Sequence, residues 1–222
     1  MLSVLIRRFI SQHSSRSTSL ASMQRKLDTT KPALANLLTK DVVQLCSIFL
    51  KKSYEIRLVG GCVRDMLLAR ECKDIDISTT ARPDEMIALF KEHQIRYIET
   101  GLQHGTLTVH FGNRDYEITT LRIDVETFGR AARVEFTNDW RLDAERRDLT
   151  FNAMSLDIEG SLYDYFGGED DLAQGKVLSI CLCFLCIIFL YLSRCESQLL
   201  KSCLMSLIHR NLSEIYLRLF YM

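Results

Sequence analysis

The sequence lacks an excess of charge of either sign: lysine and arginine together number 28, and so do aspartate and glutamate. The global charge therefore gives no argument for a nucleic-acid partner. An RNA-binding surface would have to come from a local basic cluster, which composition cannot locate. At 222 residues, the chain can hold one domain with extensions, or one domain with a truncated neighbour.

The C-terminal region lacks a hydrophobic run of full membrane-spanning length. Its apolar run, 177–192, has 16 residues, whereas about 20 are needed to cross a bilayer comfortably. We therefore interpret 177–222 as a divergent, hydrophobic and helical tail. A membrane anchor through 177–192 is the less favoured alternative.

Cysteine pairs with the spacing of a zinc site are missing as well. Five of the eight cysteines lie in the tail, at Cys181, Cys183, Cys186, Cys195 and Cys203. Structural zinc sites use regularly spaced pairs that converge from separate turns, whereas these cysteines are scattered among Leu, Ile and Phe. We interpret them as apolar residues of the tail rather than as metal ligands.

Acidic residues are missing from the first 27 positions, which contain five arginines and lysines and many serines. Together with an apolar face from Leu2, Leu5, Ile6 and Phe9, this composition predicts a mitochondrial targeting segment over 1–27. The alternative is an unstructured basic tail. A second start at Met23 would omit most of the segment and would allow a nuclear or cytosolic form.

A glycine turn is the first local pattern that indicates chemistry. The pattern predicts a strand over 54–59, a turn at Gly60 and Gly61, and a helix over 62–69. Because glycine has no Cβ, backbone N–H groups there can approach an anion, and the helix dipole favours phosphate. Arg64 can add a planar fork of donors. The glycines alone favour the alternative, a simple tight turn.

Two aspartates follow on a predicted strand. Asp74, Ile75, Asp76 and Ile77 alternate, so a strand would bury both isoleucines and place both aspartates on the other face, about 6–7 Å apart. Such carboxylates repel each other unless a cation lies between them, and oxygen ligands of this kind suit Mg²⁺. The alternative is a solvated acidic strand face.

These two patterns resemble the signature of a known family when they are taken together. LVGGCVRDMLL followed by KDIDIST is similar to the class II CCA-adding tRNA nucleotidyltransferases of the poly(A) polymerase head-domain family. The similarity continues in the same order through 100–111, 116–127, 134–154 and 163–177, and covers about 41–177. It implies a nucleotidyltransferase head domain over 28–176, of the α/β (α+β) class, with a small mixed sheet flanked by helices.

The resemblance also implies roles for individual residues. Asp74 and Asp76 would be the catalytic residues and the ligands of Mg²⁺. The nucleotide-binding residues would be Gly60, Gly61, Arg64, Arg147, Asp148 and Asn152. Substrates would be CTP, ATP and the 3′ end of a tRNA, with no stable protein partner. Without the resemblance, 146–152 is better explained as the charged first turn of a helix, with solvated arginines.

Other elements follow from periodicity. Helices are predicted over 41–52 and from Pro83, and a hairpin is predicted from strands over 105–111 and 116–121. Glu117 in this hairpin is either a third carboxylate beside the metal pair or a cross-strand partner of a basic residue. By resemblance, 121–141 contains a mobile loop, in which Phe128 and Ala131 depart from the residues common in the family.

The larger departure begins after Lys176. Family members continue into a helical neck domain with a Glu-Asp-x-x-Arg motif that pairs with CTP and ATP, and no such motif occurs here before Met222. The expected function is therefore Mg²⁺-dependent CCA addition by a truncated form. The alternatives are a catalytically deficient nucleotide-binding or regulatory fragment, and a poly(A) polymerase of the same superfamily.

Overall fold

The computed structural model describes residues 23–180 except 29, 129 and 130. Its strands are β1 (Gln24–Lys26), β2 (Ile56–Val59), β3 (Asp76–Thr79), β4 (Arg96–Gly101), β5 (Thr106–Phe111), β6 (Arg114–Thr120), β7 (Arg122–Phe128), β8 (Ala131–Phe136), β9 (Ser155–Leu156) and β10 (Ser161–Tyr163). Its helices are α1 (Pro32–Leu37), α2 (Lys40–Lys51), α3 (Gly61–Leu67), α4 (Pro83–Glu92), α5 (Trp140–Glu145) and α6 (Gly168–Ala173), with 3₁₀ turns at Leu102–His104 and Thr150–Asn152.

The predicted terminal segments are described only where they meet the domain. Residues 1–22 of the targeting segment and 181–222 of the tail lie outside the described residues, and so does most of the apolar run 177–192. Within the described part of the chain, no helix is long and apolar enough to span a bilayer. Residues 24–26, at the end of the predicted targeting segment, form β1 and pair with β10.

Eight strands form one mixed sheet in the order β1-β10-β9-β2-β3-β6-β5-β4. Only β3 and β6 are parallel neighbours; each other adjacent pair in the sheet is antiparallel. The expected mixed sheet flanked by helices is confirmed. The sheet has more strands than the small sheet that we expected. Strands β1, β9 and β10 were not predicted, because they are too short to be recognised from a periodic pattern.

The hydrophobic core lies on one face of this sheet. Helix α2 buries Val42, Leu45, Cys46 and Phe49, all with no exposed surface, and α4 buries Met86, Leu89 and Phe90. These side chains pack in one cluster with alternate strand residues such as Leu58, Ile77 and Ile118. Because side chains alternate along a strand, the residues between them point to the opposite face. That second face contains the polar side chains of the candidate site.

The segment 121–141 differs from its expected form. It contains a separate two-stranded sheet of β7 and β8, paired from Arg122 opposite Phe136 to Phe128 opposite Ala131, followed by the start of α5. Backbone hydrogen bonding therefore gives regular structure to most of a segment that we expected to be a loop. The charge-rich composition of the segment did not indicate this pair of strands.

Candidate active site

A cleft of about 240 Å³ opens on the polar face of the sheet, where β2, β3 and β6 are neighbours. Residues of opposite charge line it. The side that we name the acidic wall consists of Asp74, Asp76 and Glu117, of which the last two line the cleft directly. The side that we name the basic wall consists of Arg122, Arg146 and Arg147. A larger and more open cavity near Trp140 contains no acidic-wall residue.

The two aspartates differ in their placement. The sequence predicts a strand through both, but β3 begins at Asp76, and Asp74 lies in the bend that precedes it. Ile75 and Ile77 are buried, as predicted, whereas Asp74 is exposed and Asp76 is half-buried. The prediction of an extended backbone at Asp74 is corrected: β3 acquires its ladder partner on β6 only from Asp76 onward.

Electrostatics shows that the two carboxylates influence each other. Burial raises the pKa of Asp76, the charge of Arg147 opposes that rise, and the charge of Asp74 adds to it. None of the described residues donates a hydrogen bond to either side-chain carboxylate or forms an ion pair with it. Ionised Asp76 therefore has the opposing charge of Arg147 but no hydrogen-bond or ion-pair partner in this part of the chain, as is typical of a site that awaits a cation.

Glu117 lies directly beside Asp76, because the two residues are register partners in the parallel ladder of β3 and β6. Its side chain is exposed and lines the cleft. No salt bridge joins Glu117 to a basic side chain within the described residues, so its alternative assignment as an ion-pair partner gains no support there.

The acidic wall fits Mg²⁺ by the chemistry of its donors rather than by a preformed cage. Across the described residues, no three His, Cys, Asp or Glu side chains converge on one point. Mg²⁺ does not require such a cage, since it commonly uses one or two carboxylates and takes its remaining ligands from water and substrate phosphates. Asp74 and Asp76 provide carboxylates of that kind.

The glycine turn adopts a conformation that favours glycine. Gly60 has φ 73° and ψ −131°, and α3 begins directly after it at Gly61. A Cβ placed on Gly60 would lie 3.2 Å from Nη1 of Arg147, and one on Gly61 would lie 3.6 Å from Nη2 of Arg64. The turn therefore has an arginine close to each glycine, and two of the predicted phosphate-binding arginines meet there.

The other predicted nucleotide-binding residues are connected by hydrogen bonds. Arg64 donates from Nη1 to Oδ1 of Asn152 at 3.0 Å, and from Nε to Oδ1 of Asp65 at 2.9 Å. Asn152 in turn donates from Nδ2 to Oδ1 of Asp148 at 3.1 Å. The structure thus brings Arg64, Asn152 and Asp148 into one polar network beside the glycine turn.

The local structure around these residues differs from the prediction. We expected a helix to begin near 146–153, but α5 ends at Glu145, and only a 3₁₀ turn follows at Thr150–Asn152. Asp148 accepts from the backbone N–H of Leu149 at 2.8 Å, so it orders this turn rather than capping an α-helix. Asp139 instead caps α5 by accepting from the N–H of Arg141 at 2.8 Å.

Sequence reasoning missed the carboxylate that organises the basic wall. Asp143 is 2 % exposed and accepts from Nε of Arg146 at 2.9 Å and from Nη2 of Arg147 at 3.2 Å. The signal was present, because a carboxylate three and four positions before two arginines can pair with both on a helix. Arg122 was also missed, since nothing in its local sequence shows that β7 starts at the cleft.

An aromatic cluster fixes the start of α5 against the sheet. The guanidinium of Arg57, on β2, lies 4.1 Å from the ring centre of Trp140 and 3.6 Å from that of Tyr163. Glu55 accepts from Nη2 of Arg57 at 3.0 Å and from Nε1 of Trp140 at 2.7 Å. Cation–π contacts and charged hydrogen bonds of this kind stabilise the position of α5, and with it the basic wall.

Comparison with protein families gives one match that spans more than half of the chain. The family model described as "Poly A polymerase head domain" matches residues 56–178. The chain belongs to the poly A polymerase head domain family. The match includes the glycine turn and both walls of the cleft.

Individual relatives of this head domain agree. The chain is 49 % identical over 143 residues to CCA tRNA nucleotidyltransferase 1, mitochondrial, of Danio rerio. The aligned region is 64 % of this chain and 33 % of the relative. The protein with the same name from Homo sapiens is 48 % identical over 147 residues, covering 66 % and 34 %. The chain thus spans about a third of the length of these relatives.

Solved structures give the same result for the fold. A Bacillus stearothermophilus CCA-adding enzyme in complex with CTP superposes with a TM-score of 0.57 at 31 % identity, covering 68 % of this chain and 34 % of that one. A CCA-adding enzyme in complex with ATP gives a TM-score of 0.55 at 26 % identity, covering 72 % and 37 %. The head domain therefore has the nucleotidyltransferase fold, and the resemblance seen in the sequence is confirmed.

Proposed function

We propose that this chain is the catalytic head of a tRNA nucleotidyltransferase that adds CCA to tRNA 3′ ends from CTP and ATP in a Mg²⁺-dependent reaction. One observation carries the proposal: carboxylates that have no ion-pair partner among the described residues line the same cleft as three arginines, beside a glycine turn. A nucleoside triphosphate with bound cations has the charge pattern that such a cleft complements. The relatives that share the fold support this choice of substrates.

The chain's own residues would act mainly by positioning. Backbone N–H groups at Gly60 and Gly61 and the guanidinium groups of Arg64 and Arg147 would bind the triphosphate, while Asp148 and Asn152 would contact sugar hydroxyls. Asp74 and Asp76 would hold Mg²⁺, which when bound would supply Lewis-acid activation of the attacking hydroxyl and charge neutralisation at the pyrophosphate. The RNA 3′ hydroxyl would lose its proton to water and its oxygen would form a bond to the α-phosphorus, while the bond from that phosphorus to the oxygen that bridges it to the β-phosphorus would break and release pyrophosphate.

A second candidate function is nucleotide binding without extension of tRNA. Two findings favour it. The match to the family model ends at residue 178, and the alignments with the two mitochondrial relatives cover about a third of their length. Such a fragment would use the same cleft, and it would bind CTP and ATP with little discrimination.

An incorporation assay separates these candidates. The 222-residue chain is incubated with tRNA lacking its terminal CCA, Mg²⁺ and labelled CTP or ATP. Ordered addition of C, C and A supports the enzyme, binding without extension supports the fragment, and long ATP-only products identify a poly(A) polymerase.

Substitution of the aspartates tests the site within the same assay. Asp74→Ala and Asp76→Ala should each lower incorporation by roughly 100-fold or more, because each removes a carboxylate proposed to bind the cations. Glu99→Ala is the matched control, since Glu99 is an exposed strand carboxylate outside the cleft. Activity that survives either aspartate substitution removes that residue from the proposed metal site.

We also propose that the protein acts in mitochondria, as the names of its relatives suggest. The test fuses residues 1–27 to a fluorescent reporter, with Arg7→Ala/Arg8→Ala as the comparison. Import of the first fusion and failure of the second support a targeting segment. Cytosolic fluorescence from both contradicts it. A chain started at Met23 tests the nuclear or cytosolic form directly.

A further inference from the structure

The arginines of the basic wall do not form ion pairs with the carboxylates of the acidic wall. Arginines and carboxylates line the same cleft of about 240 Å³, and opposite charges at such close range ordinarily pair with each other. In the described part of the chain, however, no ion pair joins the basic wall to Asp76 or Glu117. Arg146 and Arg147 pair with Asp143 instead.

Asp143 is placed to bind both adjacent arginines at once. Its Oδ1 accepts from Arg146, with Nε and Nη2 both at 2.9 Å, and its Oδ2 accepts from Nη2 of Arg147 at 3.2 Å. The carboxylate is 3 % exposed, and both arginine side chains are 17 % exposed. These ion pairs are therefore largely desolvated, which makes each contact stronger and makes loss of one partner costly.

Asp143 is itself held from two sides. Its Oδ1 accepts from the backbone N–H of Arg122 at 3.2 Å, which ties the first residue of β7 to α5. Its own N–H donates to the carbonyl of Asp139, the N-cap residue of α5, at 3.3 Å. The carboxylate therefore contacts all three residues of the basic wall, two through their side chains and one through its backbone.

The guanidinium of Arg147 is bound to Asp143 only through Nη2, which leaves Nη1 available to other partners. Besides Asp143, its Nη2 approaches Oγ of Ser78 at 3.4 Å, and its Nη1 lies 3.2 Å from the Cβ position of Gly60. Ser78 is on β3, two residues after Asp76. One edge of the guanidinium is thus fixed by Asp143, and Nη1 is directed toward the glycine turn.

We propose that Asp143 is a positioning residue that keeps Arg146 and Arg147 off the acidic wall, so that the arginines stay available to phosphate and Asp76 stays available to cations. This inference rests on the proposed function, because it assigns Asp143 a part in the same nucleotide site. Without the negative charge of Asp143, the anionic side chains that line the same cleft as the two guanidinium groups are those of Asp76 and Glu117.

The test uses Asp143→Asn in the full chain, which keeps the shape of the side chain and removes its charge. Glu145→Gln is the matched control, since it removes an equal charge from an exposed residue of the same helix. Mn²⁺ affinity is measured from the EPR signal of the free aqueous ion, and CTP affinity is measured by calorimetry. We expect Asp143→Asn to weaken both by roughly tenfold and Glu145→Gln to change neither.

A second substitution separates this role from a merely structural one. In Asp143→Asn/Arg147→Gln no guanidinium at position 147 remains to occupy Asp76, so Mn²⁺ affinity should return to near the wild-type value while CTP affinity stays low. A structural defect would not be repaired by removing another buried contact. Because this variant removes a buried cation together with the anion, it also serves if Asp143→Asn alone fails to fold.

The outcomes differ for the inference and for the function. If Asp143→Asn binds Mn²⁺ and CTP like Glu145→Gln, or if the double variant does not regain Mn²⁺ affinity, the inference is wrong and the proposed function stands. If the unsubstituted chain binds no nucleotide, the proposed function is wrong, and the inference falls with it.

Discussion

The two walls of the cleft are built in opposite ways. Asp74 and Asp76 receive no hydrogen bond from the described residues, and burial raises the pKa of Asp76. Arg146 and Arg147, by contrast, share the buried carboxylate of Asp143 on α5, a helix whose first residue, Trp140, packs against Arg57. The comparison indicates that the basic wall contributes to the folded state, whereas the acidic wall lowers its stability until a ligand arrives.

The largest loss of stability is expected from a substitution at Gly168, which packs against the backbone of Thr150. In Gly168→Ala the new Cβ would lie 2.3 Å from the carbonyl oxygen of Thr150, in the 3₁₀ turn that also contains Asn152. Backbone cannot yield as a side chain does, so we expect about 3 kcal/mol of destabilisation, measured by chemical denaturation.

Gly175→Ala is the contrasting control: Gly175 has a positive φ, 66°, which Gly168 does not have, but no atom lies within 4 Å of the added Cβ. It should lose only about 1 kcal/mol, through backbone strain alone. Equal losses in the two variants would show that the contact between Gly168 and Thr150 is unimportant.

An intermediate loss of stability is expected from a substitution at Gly60, in the glycine turn beside Arg147. Gly60→Ala forces an ordinary residue into φ 73° and ψ −131° and crowds Nη1 of Arg147, so we expect about 2 kcal/mol of destabilisation and weaker binding of CTP. Chemical denaturation and calorimetry measure the two effects. Gly61→Ala is the stability control, since alanine favours a helix and meets only Arg64 at 3.6 Å. Full CTP affinity in Gly60→Ala would argue against a role for this turn in binding.

The smallest expected effect is a gain in stability, and it comes from a substitution at Asp76. Because the pKa of Asp76 is raised in the folded state, the folded chain holds a proton there more readily than the unfolded chain does. Stability from this group is therefore fully present below the usual carboxylate pKa, and it is lost as pH rises through the raised value. Asp76→Asn should thus increase the thermal midpoint at neutral pH by about 1–3 °C while it abolishes nucleotide incorporation.

The pH dependence checks this assignment. The advantage of Asp76→Asn over the unsubstituted chain should shrink as pH falls through the raised pKa of Asp76, because Asp76 itself then becomes protonated. Thermal unfolding followed by circular dichroism at several pH values, without added metal, measures it. A lower midpoint for Asp76→Asn at neutral pH would mean that ionised Asp76 stabilises the fold, and the comparison of the walls would then fail.

The acidic wall could be predicted because its signal is local. Two-residue alternation around Ile75 and Ile77 is sufficient to assign which side chains are buried, and both isoleucines are indeed buried. The glycine turn is equally local, since a strand, two glycines and a helix follow one another directly. For the same reason, α2 begins and ends within one residue of its predicted bounds, and α4 begins at Pro83 as predicted.

The basic wall could not be predicted in full because it depends on contacts between distant segments. Arg122 meets Asp143 across 21 residues, and Arg57 meets Tyr163 only through the folded sheet. Strands β9 and β10 have two and three residues, too few to show any period. The expected helix near 146–153 was wrong because charged residues favour a helix start in general, whereas here α5 has already ended at Glu145.

The parallel register of β3 and β6 has a consequence for how this protein can change. Helix α4 and strands β4 and β5 lie between Asp76 and Glu117 in sequence, yet hydrogen bonding between β3 and β6 makes these two residues direct neighbours. Insertions or deletions in the loops that join α4, β4 and β5 can therefore accumulate without moving either carboxylate. Divergence in those loops is compatible with unchanged geometry at the cleft.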